Sequence, residues 1–118
     1  VNNTTLHFDG TSFTTSGSMT TARPSACGAG YGTQTNAIVA GGEGSGTSTQ
    51  GEQYNGTIWV SAPSMSQGRK YGLGASRSAG SQTGFIAGGA TPPSPNTNKT
   101  EEFTPETTAV NVKTLTQS

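Results

Sequence analysis

The stretch that decides the fold is AIVAGG at residues 37–42, an apolar run that ends in Gly41-Gly42. A second run, GFIAGG at residues 84–89, ends in the same way in Gly88-Gly89, 47 residues later. An aromatic residue follows each run, Tyr54 after the first and Phe103 after the second. A motif that recurs at such a period is typical of a repeat architecture, in which one supersecondary unit stacks on the next.

Four further pairs of residues share a single spacing and so fix the register of the repeat. Members of each pair are 46 positions apart: Phe8 and Tyr54, Phe13 and Trp59, Met19 and Met65, Arg23 and Arg69. The second pass is slightly longer because of the segment TPPSPN at residues 91–96, which predicts an irregular loop. Insertions confined to loops are what stacked repeats tolerate.

Two hairpins are predicted at equivalent places in the repeat, one around Asp9-Gly10 and the other around Asn55-Gly56. These dipeptides are the ones that a two-residue type I′ turn prefers, because both of its central residues need a positive φ. We therefore predict a two-residue turn in each hairpin.

The remaining segments also predict strands, at about four per repeat. The unbroken apolar runs are typical of strands buried on both faces, and the alternating C-terminal segment indicates an outer, closing strand. No helical period is present, so the chain is predicted to be all-β. The predicted strands are residues 4–8, 12–15, 26–30, 37–40, 52–54, 57–60, 72–75, 85–87, 101–103 and 109–115.

The composition excludes several classes of function. Six basic and six acidic residues give a net charge of zero, so the chain has no excess of cations to neutralise the phosphates of a nucleic acid. No apolar stretch approaches the roughly 20 residues that span a membrane. The 18 glycines and the low apolar content would also suit a disordered linker. The regularly spaced aromatics favour a small-residue β structure instead.

No catalytic, cofactor or metal site is predicted. His7 is the only histidine and is expected at a solvated strand position. Cys27, flanked by small residues, is predicted to be a small buried filler. Glu101 and Glu102 are adjacent in a predicted strand, so their side chains point to opposite faces and cannot act as an acid–base pair. Glu52 is equivalent to Glu101, which makes it a feature of the repeat.

Two kinds of repeated side chain are predicted to be structural. Arg23 and Arg69 are expected to bond backbone carbonyls or a neighbouring unit through the planar guanidinium donors. Trp59 and Phe13 could be exposed platforms that stack on sugars, but their fixed spacing favours packing in the core.

These residues resemble the kelch repeat. In that pattern an apolar run ending in Gly-Gly precedes a Tyr, a Trp, a Pro-x-Met step and an Arg. The corresponding residues of this chain are Ile38–Gly42, Tyr54, Trp59, Pro63-Ser64-Met65 and Arg69. The Tyr and Trp are closer together than in the usual pattern, which fits a two-residue turn in place of a longer loop. The Gly-, Thr- and Ser-rich texture also resembles phage tail-fibre and other virion structural proteins.

The kelch resemblance implies a β-propeller built of four-stranded blades. The chain would then be a single repeat domain, 1–118, of about two and a half blades. Residues 1–22 would be the outer hairpin of a partial blade, 23–68 a complete blade, and 69–118 a terminal blade with an altered last strand. Further sequence or other copies of the chain would close such a propeller.

The resemblances imply a non-enzymatic structural or adhesive protein, such as an extracellular virion fibre or decoration protein. Its partners would be other copies or blades, cell-surface glycans or other virion proteins, without cofactor, nucleic acid or membrane insertion. The alternative is a secreted carbohydrate-binding or galactose-oxidase-like kelch protein whose catalytic residues lie outside this chain. The candidate contact loops follow each Gly-Gly and contain Glu43, Ser45, Thr47, Thr91, Asn96 and Lys99.

Overall fold

The computed structural model describes residues 2–30, 34–44, 46–76, 84–93 and 96–104. These residues form eleven strands in four antiparallel sheets, with no helix among them, so the predicted all-β class is confirmed. Within these ranges no helix capable of crossing a membrane is found. The strands are β1 (Thr5–Phe8), β2 (Phe13–Ser16), β3 (Cys27–Gly30), β4 (Ala37–Ala40), β5 (Glu43–Gly44), β6 (Gly46–Thr47), β7 (Gly51–Tyr54), β8 (Trp59–Ala62), β9 (Leu73–Ser76), β10 (Gly84–Ala87) and β11 (Thr100–Phe103).

Two of the sequence predictions lie outside the described residues. They are the closing strand at residues 109–115 and the contact residue Ser45.

The central sheet has the order β3-β4-β7-β8 and is built around the AIVA run. Strand β4 pairs with β3 on one side and with β7 on the other. Its Ile38 and Ala40 are buried, whereas Ala37 and Val39 are half-buried. Gly51 lies opposite Ala40, so this part of the sheet carries little side-chain volume and a second sheet can approach it closely.

The C-terminal sheet has the order β11-β10-β9 and repeats the pairing of the central sheet. Leu73 pairs with Ala87 here as Cys27 pairs with Ala40 in the central sheet. The prediction that residues 85–87 are buried on both faces is wrong, because Phe85 is 42% exposed. No described element covers the face on which it lies.

Both hairpin turns differ from the predicted two-residue type. Four residues, beginning at Asp9 or at Asn55, separate the paired strands, and only Gly10 and Gly56 among them have a positive φ. Asp9 Oδ1 accepts hydrogen bonds at 2.8 Å from the amides two and three residues later, and Asn55 Oδ1 does the same at 3.0 Å. These side chains therefore close the turns as Asx acceptors. The two-residue turn inferred between Tyr54 and Trp59 is therefore wrong.

The N-terminal hairpin, β1–β2, packs on the central sheet through polar side chains. The Tyr54 hydroxyl hydrogen-bonds Ser16 Oγ and lies 2.8 Å from His7 Nε2. Trp59 Nε1 donates to Thr5 Oγ1 at 2.7 Å. The expectation of a solvated His7 is therefore wrong, since its ring is half-buried against the ring of Tyr54.

The core lies between the central and C-terminal sheets. Cys27 is 0% exposed, which confirms it as a buried filler. Its Sγ accepts the Gly72 amide at 3.1 Å, and a methyl group at Gly72 would lie only 2.7 Å from that sulfur. Two small clusters form this core: Cys27, Ala40 and Ile86 with Met65, and Ile38 with Ala62 and Phe103.

The aromatic residues predicted to fill the core are placed unequally. Trp59 is half-buried beside Tyr54, whereas Phe13 is 68% exposed, so its predicted core position is wrong. Phe13 instead pairs with Phe8 on the outer face of the N-terminal hairpin, with ring centroids 4.8 Å apart. No described element covers this face.

Candidate functional site

A buried arginine, Arg23, precedes the central sheet and joins three segments of the chain. Arg23 Nε donates to Glu52 Oε1 at 3.1 Å, and Nη1 donates to the carbonyl oxygens of Gly41 (3.3 Å) and Gln50 (3.2 Å). Glu52 Oε2 accepts the amide of Thr20 at 2.7 Å. This first arginine cluster joins the strand ends on both sides of the loop after β4.

A second arginine cluster repeats the arrangement in the next unit. Arg69 is 0% exposed; its Nη2 donates to Glu101 Oε1 at 2.7 Å. Its Nη1 donates to the carbonyl oxygens of Gly88 (3.2 Å) and Lys99 (2.9 Å). Glu101 Oε2 accepts the amide of Ser66 at 2.6 Å, as Glu52 does with the equivalent threonine. Both guanidiniums therefore bond backbone carbonyls, as predicted from the equal spacing of Arg23 and Arg69.

The two clusters differ in one donor. Arg23 reaches its carboxylate through Nε, whereas Arg69 uses Nη2, and Arg69 Nε is buried without a hydrogen-bond partner. An unpaired buried N–H weakens the folded state, so the second cluster is the less completely satisfied of the two.

Both carboxyls in these clusters titrate below their ordinary range. Burial alone raises the pKa of each, but hydrogen bonds to the charged form outweigh it. For Glu52 these come from the Thr20 amide and from Arg23, and for Glu101 from the Ser66 amide and its arginine. The lowered pKa keeps each carboxylate ionised beside its guanidinium.

Each Gly-Gly pair begins one of the two loops whose end carbonyls are bonded by an arginine cluster. Gly41 and Gly42 have φ of +73° and +96°, and Gly88 and Gly89 have +67° and +89°. The Gly42 amide donates to the Arg69 carbonyl at 2.9 Å, which links the central sheet to the next unit. These left-handed conformations are open to glycine and costly for other residues.

The first predicted contact loop is tied to the neighbouring unit. It folds into the short β5–β6 hairpin, which carries Glu43 and Thr47. Glu43 forms an ion pair with Lys70, and this pair lowers the pKa of Glu43 and raises that of Lys70. The Glu43 amide also donates to the Pro24 carbonyl at 2.8 Å.

Described residues of the second predicted contact loop line a polar cavity that is largely open to solvent. Three of the predicted residues line it, and two of them, Asn96 and Lys99, are exposed. Thr91 is only 4% exposed, so the expectation that it is a surface contact is wrong. The two hydrogen bonds between Ala90 and Lys70 hold the start of the loop against the preceding segment. The cavity measures about 490 Å³ and is lined by Gln67, Thr91, Asn96, Thr97, Asn98 and Lys99.

The chemistry of this cavity suits a ligand rich in hydroxyl or carboxylate groups. The described residues of its lining supply three amides, two hydroxyls and one ammonium, with no carboxylate among them. Amides offer both donors and acceptors, and Lys99 offers only donors. The structure does not bring Glu43 or Thr47 to this cavity.

The described ranges contain no group of three or more His, Cys, Asp or Glu side chains that could hold a metal ion.

The glutamate partners of both arginines were not predicted from the sequence. The signal was present, because Glu52 and Glu101 are 49 residues apart, as are Tyr54 and Phe103. A carboxylate that repeats in register with an arginine indicates a buried pair.

Comparison with known proteins supports the fold class alone. No protein-family model matches the sequence, and no curated protein matches it. The solved structure of YjhT, a β fold, is similar with a TM-score of 0.63 and 19% sequence identity. The match covers 87% of this chain and 35% of the YjhT chain, so this chain spans about a third of that structure. The chain is thus similar to one part of a larger β protein.

Proposed function

We propose that this chain forms consecutive blades of a kelch-like β-propeller and acts as a non-enzymatic structural and adhesive module. Its second contact loop would bind a polar ligand in the 490 Å³ cavity. The observation that carries this proposal is the second arginine cluster, which hydrogen-bonds the end of that loop. Arg69 donates to the Lys99 carbonyl, and so a cavity residue is anchored to a fully buried side chain.

An anchored loop is suited to binding. Ordering a flexible loop on association costs free energy, and a loop that is already fixed avoids much of that cost. The Thr97 amide donates to the Gly89 carbonyl at 2.9 Å, which fixes the middle of the loop as well. The exposed Asn96 and Lys99 side chains are therefore carried by backbone that is hydrogen-bonded at Thr97 and at Lys99.

The setting we propose is an extracellular virion fibre or decoration protein, with a cell-surface glycan as ligand. The Gly-, Thr- and Ser-rich composition supports this setting, and the amide-rich cavity supports a hydroxylated ligand. Further blades, in the same polypeptide or in other copies, would complete the propeller.

A glycan array with the purified chain tests the ligand. We expect binding that the double substitution Asn96→Ala, Lys99→Ala abolishes, because it removes an amide and the ammonium from the cavity. The matched control is Thr14→Ala, Thr15→Ala, which changes two exposed polar residues on β2. Absence of binding by the unaltered chain, or equal binding by both double variants, contradicts the proposal.

The same cavity also favours a second candidate, a secreted carbohydrate-binding or carbohydrate-active protein with catalytic residues outside this chain. The two candidates differ in what a longer polypeptide does. Turnover of a bound sugar by such a polypeptide favours the second, whereas location of the chain in a virion by imaging favours the first.

A further inference from the structure

The N-terminal hairpin carries an exposed aromatic pair on the face that points away from the central sheet. Phe8 and Phe13 lie directly opposite each other across the hairpin and are 50% and 68% exposed. Leu6, 55% exposed, lies on the same face because side chains alternate along a strand. The face is therefore apolar and open to solvent.

The equivalent pair in the central sheet is covered by the unit that precedes it. Tyr54 and Trp59 lie opposite each other with ring centroids 5.0 Å apart, close to the 4.8 Å of the exposed pair. Tyr54 is only 1% exposed, because Ser16 and His7 of the N-terminal hairpin contact it. In the central sheet, therefore, the outer strands of the preceding unit pack on the aromatic pair.

The C-terminal sheet presents the complementary kind of face. Leu73 is 80% exposed and Phe85 is 42% exposed. Their equivalents in the central sheet, Cys27 and Ile38, are 0% and 3% exposed because the C-terminal sheet packs on them. The described stack thus ends in apolar side chains at positions that are buried one unit earlier.

We propose that these two faces bind each other between copies of the chain. The face of Leu73 and Phe85 in one copy packs on the Phe8 and Phe13 pair of the next. This association is head to tail, so it forms a closed ring if the rotation closes and a filament if it does not. It rests on the repeating stack and not on the glycan ligand, so the two proposals can fail separately.

The contact repeats one that already exists inside the chain. Ile38 of the central sheet packs against Phe103 of the C-terminal sheet. Phe85 is equivalent to Ile38, and Phe8 is equivalent to Phe103 through Tyr54. A contact between Phe85 of one copy and Phe8 of another therefore continues an established interface across a chain boundary.

Sedimentation of two single variants and of their mixture tests the proposal. We expect the unaltered chain to associate with rising concentration, and Phe8→Asp or Phe85→Asp to weaken association at least about tenfold, because each places a charge in an apolar contact. Each variant keeps one intact face, so an equimolar mixture should form a complex of twice the 11.9 kDa chain mass and no larger. Thermal unfolding of each variant establishes that it is folded.

Three results would overturn the proposal. The first is a monomeric unaltered chain at every concentration, and the second is association of either folded variant as strong as that of the unaltered chain. Failure of the mixed variants to pair would exclude a head-to-tail contact, since a contact between two identical faces cannot be restored by mixing.

Discussion

Each buried arginine satisfies two backbone carbonyls at the places where strands end and loops begin. For Arg69 these carbonyls belong to Gly88 and Lys99, which flank the loop around the polar cavity. Glu101 neutralises the guanidinium and also accepts the Ser66 amide from the segment after β8. Arg69 and Glu101 together therefore fix the loop, the third strand of their sheet and the preceding unit.

Replacing Arg69 by alanine should destabilise the fold. The change removes the arginine donor from two carbonyls, of which that of Lys99 keeps the Gly88 amide. It also removes the charge partner of Glu101, which is partly exposed. We expect a loss of about 3 kcal/mol in the free energy of unfolding, measured by urea denaturation. Arg69→Lys should recover less than half of it, because one ammonium cannot reach both carbonyls and the carboxylate. Equal stability of the alanine variant and the parent would contradict a structural role.

Acid should weaken the fold through the two glutamates. Their folded-state pKa values lie below the ordinary 4.5 that the unfolded chain retains. The stability they contribute is therefore complete above that value and is lost as the pH falls through the lower, folded-state pKa. Melting temperatures measured between neutral and strongly acidic pH should fall less in the double variant Glu52→Gln, Glu101→Gln. An identical fall in both proteins would place the acid sensitivity elsewhere.

The arginines were predictable from sequence, whereas their exact partners were not. Spacing alone identified Arg23 and Arg69 as equivalent. Donation to Gly41 or Gln50 depends on how far apart two strand ends lie in space, and a linear pattern does not contain that distance. The burial of Thr91 was missed for the same kind of reason, since the residue before it, Ala90, is bridged to the distant Lys70.

At the scale of the element, the Gly-Gly strand ends combine two separate constraints. Gly88 and Gly89 both have positive φ, but their surroundings differ. The nearest atom to a methyl group on Gly88 would be the Thr97 carbonyl oxygen at 3.8 Å. A methyl on Gly89 would overlap the Lys70 carbonyl oxygen and lie 2.8 Å from the Gly72 amide nitrogen.

Neighbouring alanine substitutions should therefore differ in cost. Gly88→Ala incurs the left-handed backbone cost alone, about 1 kcal/mol. Gly89→Ala adds a clash with backbone atoms and should cost at least about 2 kcal/mol more. Chemical denaturation of the two variants side by side gives the comparison, with Gly88→Ala as the control for φ. Equal losses would show that close approach is unimportant at Gly89.

The hairpins were only partly predictable from their local sequence. Asp9-Gly10 and Asn55-Gly56 correctly predicted hairpins, but not the length of their turns. Both a two-residue and a four-residue turn place a glycine at positive φ. In the structure Phe8 pairs with Phe13, which leaves four residues between the strands, and the dipeptide alone does not contain this register.

At the scale of the whole molecule, the single thiol reports contact between the sheets. Cys27 is enclosed by the central and C-terminal sheets, and burial is the main cause that raises its pKa. A thiol reagent should therefore react with it only when the sheets separate. Gly72→Ala pushes a methyl group against Sγ and should speed labelling at least about tenfold.

The control for this experiment is Gly28, which lies beside Cys27 on strand β3. A methyl group at Gly28 would have no neighbour closer than 3.9 Å, so Gly28→Ala should label at nearly the rate of the parent. Rapid labelling of the folded parent, or equal rates in the two variants, would show that the sheets do not shield the thiol.

The stacking itself was only partly predictable. The spacing of the repeat indicated that equivalent units follow one another, and the strands of the central sheet lie close to their predicted bounds. The spacing implied equal burial for Phe13 and Trp59, yet one is exposed and the other half-buried. Burial depends on the neighbouring unit: the N-terminal hairpin lies against Trp59, whereas no described unit lies against Phe13.

The junctions between units also differ in chemistry although they are equivalent in position. At the first, the Tyr54 hydroxyl meets Ser16 and His7, while at the second Phe103 packs near Ala62 beside Ile38. Exchanging the two units would leave the tyrosine hydroxyl facing alanine, with no acceptor. The junctions therefore specify the order of the units, so that duplicating or permuting one of them would lower stability even though their equivalent strands pair in the same register.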